Sequence, residues 1–77
     1  MTINIHKFNE QFVKEYTFLY DNHDRVAGYS EAVQAFDEAC QSEAFCEFVS
    51  GYVKYRGDFI SSDREAAAFM FALDTLS

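Results

Sequence analysis

Ser62-Asp-Arg-Glu-Ala-Ala-Ala-Phe-Met-Phe-Ala-Leu-Asp-Thr-Leu76 opens with a helix-start signal and then runs apolar on almost every side. Ser62 and Glu65 have the spacing of a capping box, in which each side chain satisfies the other's backbone N–H. Ala66, Phe69, Met70, Leu73 and Leu76 recur at helical spacing, and Ala67, Ala68, Phe71 and Ala72 fill the flanks. A helix with so wide an apolar surface belongs at the centre of a core or in an oligomer contact. In the second case Phe69, Met70, Phe71 and Leu73 would meet another copy of the chain.

Working back from that segment, three more helices follow from the same periodicity. Residues 4–20 place Ile5, Phe8, Phe12, Tyr16 and Leu19 on one stripe, with Glu10 and Lys14 in the favourable i,i+4 order and Phe18 off the stripe, in need of a second neighbour. The polar run Asp21-Asn-His-Asp-Arg25 ends this helix and leads through Gly28 into a loop. A second helix is expected after Ser30, a good cap for free backbone N–H groups, with Tyr29, Val33, Phe36 and Cys40 turned inward. A third is expected after Ser42, with Phe45, Phe48, Val49, Tyr52 and Val53 inward. Lys54, Arg56 and Gly57 mark its end. Gly51-Tyr-Val-Lys-Tyr-Arg56 also alternates, so a short strand or hairpin near 51–60 is the alternative.

The expected fold is therefore all-α, a compact bundle of about four short helices forming a single domain over 1–77, with an α+β variant as runner-up. The 77 residues include nine Phe and five Tyr but no Pro and only three Gly. Aromatic rings bury large areas and offset the small core of a short chain. The apolar fraction of 49% excludes a disordered acidic tail. The longest apolar run, Ala66 to Leu73, is far too short to span a bilayer. The first residues, MTINIHKFNEQF, lack the apolar core of a signal peptide, so a cytoplasmic protein is expected.

Charge is distributed unevenly. Net charge is −7, yet Val26 to Val53 contains no Lys or Arg and holds Glu31, Asp37, Glu38, Glu43 and Glu47. On helices these acids face outward and form an anionic surface suited to a cationic partner. Solubility is the simpler reading of the same charges. A continuous helix from Glu31 to Glu47 would rise about 24 Å, or roughly one acid per 5 Å. That is sparse beside duplex DNA, with one charge per about 1.7 Å. Direct binding of nucleic acid is not expected, because six scattered bases face thirteen acids.

Catalytic and metal chemistry find little support. His6, His23, Cys40 and Cys46 match no zinc spacing, and Asp21 onward fails a calcium loop at Arg25, Val26 and Ala32. Cys40 and Cys46 read as small buried hydrophobes rather than a disulfide framework. An acid-rich helix end raises a thiol pKa, which argues against a nucleophilic Cys40. No phosphate-binding glycine loop is present. No enzyme, cofactor or metal is expected.

The reading that remains is a small acidic binding protein. Glu31, Asp37, Glu38, Glu43 and Glu47 would meet a Lys/Arg-rich protein surface, with Tyr29, Tyr52 and Tyr55 as aromatic anchors at the rim. The profile of tiny size, acidity and aromatic richness without catalytic motifs resembles small phage or mobile-element proteins that block nucleic-acid-handling defence systems. That resemblance is one of composition. It implies an inhibitor of a nucleic-acid-binding protein that imitates DNA in part. The alternative is an obligate homo-oligomer, such as a homodimer, or an accessory subunit joined through the fourth helix, with the acids serving solubility only.

Overall fold

The computed structural model describes residues 3–77, and its helices follow from local start and stop chemistry. Helix α1 spans Ile5–Asn22, and Asn4 caps it by accepting from the His6 and Lys7 N–H groups. A short 3₁₀ turn, His23–Arg25, follows. Helix α2 spans Tyr29–Ala39. It starts before Ser30, because Gly28 takes the left-handed conformation (φ 85°) and turns the chain into the helix without a side-chain cap. Ser30 thus lies inside the first turn, a correction to the expected start.

Helix α3 spans Glu43–Arg56, with Ser42 accepting from the Phe45 N–H at its start and left-handed Gly57 (φ 81°) at its end. The strand alternative near 51–60 fails: no strand occurs among the described residues, and helix runs through Gly51 to Arg56. In this helix Tyr52 is buried and packs edge-on against Phe8 and Phe69. Helix α4 spans Asp63–Leu76 and starts on Ser62, which accepts from the Glu65 N–H. The reciprocal half of the capping box is displaced by one residue. Glu65 accepts from the Ser61 N–H and the Ser61 and Ser62 hydroxyls.

Helix α4 is the central element. Ala66, Ala67, Ala68, Phe69 and Ala72 are all buried. The four small alanine side chains let the α1 and α2 backbones come close on two sides. The Phe69 ring is the hub. Phe8, Phe36, Phe45 and Phe48 meet it edge-on with centroids 4.8, 5.5, 5.5 and 5.6 Å away, and Tyr52 does so at 5.9 Å. Edge-to-face contacts suit the ring quadrupoles. Helix α3 reaches the core through these long rings, not through close backbone contact. The radius of gyration, 11.6 Å, matches the about 11.5 Å expected for a compact chain of this length.

Phe8, Phe12 and Leu19 are buried, as the α1 stripe requires. Phe18 finds no close packing and stays 55% exposed, beside a shallow cleft with Val26 and Phe71. The single ion pair among the described residues joins Arg56 to Glu65 at 2.6 Å, tying the end of α3 to the start of α4. Among the described residues no helix is long and apolar enough to cross a membrane.

Candidate functional site

The five acids of the base-free segment sit on ordered helices, and all five are exposed. Glu31 and Glu38 lie seven residues apart on α2 and share one stripe, with Asp37 about a quarter-turn round. Glu43 and Glu47 share a stripe on α3 through i,i+4 spacing. None of the five takes part in the ion pair found among the described residues. The turn Cys40–Ser42 breaks the run into two helices, so the acids spread over a surface instead of tracking one axis.

Their positions relative to the helix dipoles differ. Glu31 and Glu43 occupy first turns, where the positive helix end favours an acid. Asp37 and Glu38 fall near the C-terminal end of α2, whose last turn holds no base. Acids there oppose the dipole at roughly 0.3–1 kcal/mol each. Burial first, then Cys46 and Asp37, push the Cys40 thiol up. Both cysteines are free, and the Cys46 thiol donates to the Cys40 carbonyl at 2.7 Å. Among the described residues no group of His, Cys, Asp and Glu is placed to hold a metal ion.

The expected aromatic anchors separate into three situations. Tyr55 is 44% exposed, and its hydroxyl meets His6 Nδ1 at 3.1 Å. Tyr29 is half-buried beside His23, and its hydroxyl is pushed up by burial and Asp63 against the opposing Arg64. Tyr52 is no rim residue: it is 1% exposed and donates to Asn9 Oδ1 at 2.6 Å inside the core. Of the set assigned to an oligomer contact, Phe69 is corrected in the same way. Phe69 is fully buried at the hub, while Met70, Phe71 and Leu73 are half-buried against the core.

One feature of this surface escaped the periodicity altogether. The connection from Gly57 to Ser62 carries Phe59 and Ile60, and Phe59 is 73% exposed. Together with Phe36, Val49 and Val53 they line an open apolar groove of about 480 Å³ between α2 and α3. Helical spacing gives no information about a loop. The available signal was an apolar pair enclosed between a C-terminal Gly and an N-capping Ser, where a buried stripe cannot account for it.

Compared with family models, curated proteins and solved structures, the chain matches none of them.

Proposed function

We propose that this protein is a small non-enzymatic binder that sets its α2–α3 surface against a Lys/Arg-rich surface of a protein partner. The observation that carries this reading is the placement of the acids. Five exposed carboxylates stand on a base-free stretch, and Asp37 and Glu38 sit where they oppose the dipole of their own helix. Solubility alone is served equally by acids at helix starts. A sequence choice that costs local stability belongs where function requires it.

The class of partner follows from chemistry. Dense Lys/Arg surfaces are characteristic of proteins that hold nucleic-acid phosphates. The partner is accordingly a nucleic-acid-binding protein, and the chain acts as its inhibitor, in line with the phage and mobile-element proteins that its composition resembles. Magnitude limits the mimicry. The molecule is 30 Å in its longest dimension, and a duplex of that length carries about 18 charges. The whole chain has 13 Asp and Glu. One copy thus covers part of a phosphate-binding surface and competes for it without reproducing a duplex.

The test is capture of a partner from the native lysate on immobilised protein, with the Glu38→Lys/Glu43→Lys variant in parallel. Glu38→Lys relieves the α2 dipole and Glu43→Lys burdens that of α3, so the two effects on folding offset. Capture of a basic protein by the parent, lost in the variant, is the expected result. Equal capture by both removes the acidic surface from the account.

A further inference from the structure

The apolar groove between α2 and α3 has a charged border. Asp37 lies one turn before Cys40, which lines the groove, and Glu47 lies one turn before the lining residue Ser50. Asp58 precedes Phe59 and is exposed. Lys54 is the one base among the lining residues. The groove volume of about 480 Å³ falls within the roughly 300–1,000 Å³ of pockets that enclose a ligand. Phe59, 73% exposed at the rim, leaves most of a large ring in water.

We infer that this groove receives the apolar face of a cationic amphipathic segment of the partner, with one large apolar side chain against Phe59, Val49 and Val53 and its Lys or Arg residues over Asp37 and Glu47. This rests on the acidic-surface reading and names what that surface holds. Charge selects the occupant. A second copy of this chain brings another −7 and sets acid against acid. A basic helix presents the opposite sign on the flanks of its apolar stripe, which is the helix-in-groove mode of recognition.

The experiment is a titration of the full chain, followed at backbone amides by nuclear magnetic resonance, with three synthetic peptides. One is an amphipathic Leu/Lys helix. The second replaces Leu by Ser and keeps the charge. The third replaces Lys by Glu and keeps the apolar face. The Leu/Lys peptide should shift Val49, Val53, Phe59 and Ile60 saturably, and Phe59→Ala should weaken it roughly tenfold. Phe59 is largely exposed, so that variant keeps the fold. The Ser/Lys peptide should bind more weakly and move only residues near the acids, and the Leu/Glu peptide should not bind. If Leu/Lys moves the acids and leaves the groove residues still, the groove role is overturned while the acidic-surface reading stands. If Leu/Glu binds as well as Leu/Lys, charge selects nothing and both fail. Binding by neither basic peptide also overturns both. Groove shifts that grow with protein concentration alone, with a dimer in sedimentation, make a second copy the occupant and overturn the inference.

Discussion

At the scale of single residues, Tyr52 shows how a side chain can be legible in type and misread in role. Its spacing from Phe45 and Phe48 marks an inward position, yet a tyrosine hydroxyl also suits a partner surface. What resolves the choice is Asn9, forty-three positions away in sequence, whose side-chain oxygen accepts the hydroxyl in the core. Burial foremost, with Tyr55 and Glu65 adding and Arg56 opposing, pushes the Tyr52 hydroxyl above its usual 10.0. The folded protein then holds the phenolic proton more tightly than the unfolded chain. The associated stability is complete below about pH 10 and is lost as pH rises through the folded value. Tyr29 is shifted in the same direction. Tyr52→Phe should cost about 1 kcal/mol at neutral pH through the lost hydrogen bond. It should also lose less stability than the parent between about pH 8 and about pH 11, measured by urea unfolding. Arg56 is a second long-range case. Sequence marks it as a helix-end base, but its charge goes to buried Glu65, and its guanidinium lies over the Phe12 ring at 5.4 Å. Removing half-buried Arg56 leaves the buried Glu65 carboxylate uncompensated. Arg56→Ala should therefore destabilise by about 3 kcal/mol, and Glu65→Gln in that background should recover part of the loss.

At the scale of elements, helix boundaries were legible wherever a side chain does the capping. Asn4, Ser42 and Ser62 each accept backbone N–H groups, and left-handed Gly57 ends α3. The start of α2 is not legible, because Gly28 acts through backbone conformation and offers no side-chain signal. The central place of α4 was one of two options open to its apolar surface. Contact with both α1 and α2 settles it, and such contact depends on alanine at positions where the backbones meet. Ala67 and Ala68 are fully buried, so a larger side chain has no space there. Ala68→Leu should cost about 1–3 kcal/mol by overpacking, read from the shift in the urea midpoint. Helix α2 carries the opposite kind of prediction. Glu38→Lys should stabilise the fold by about 0.3–1 kcal/mol, because it replaces an acid by a base in the last turn. The same change should weaken partner binding. Gain of stability with loss of binding separates a functional acid from a merely solubilising one.

At the scale of the whole molecule, charge and shape act together. The sequence places five acids on a base-free stretch, but the path of the chain determines whether they form a line or a surface. The turn at Cys40–Ser42 divides the stretch between two helices, and Asp37 and Glu47 lie one turn from residues that line an apolar groove no periodicity foretells. The legible part of the site is thus its charge, which local spacing sets. The illegible part is Phe59 and the groove, which arise from how α2, α3 and the following loop meet. A surface of this sign accelerates encounter with a basic partner, and salt screens the acceleration over about 10 Å at 0.1 M ionic strength. The most direct measurement is the association rate constant with the captured partner, taken across ionic strength for the parent and for Glu38→Lys/Glu43→Lys. The account predicts a steep fall of the parent's rate with salt and a slower, flatter dependence for the variant. Identical rates and identical salt dependence for the two proteins would contradict it.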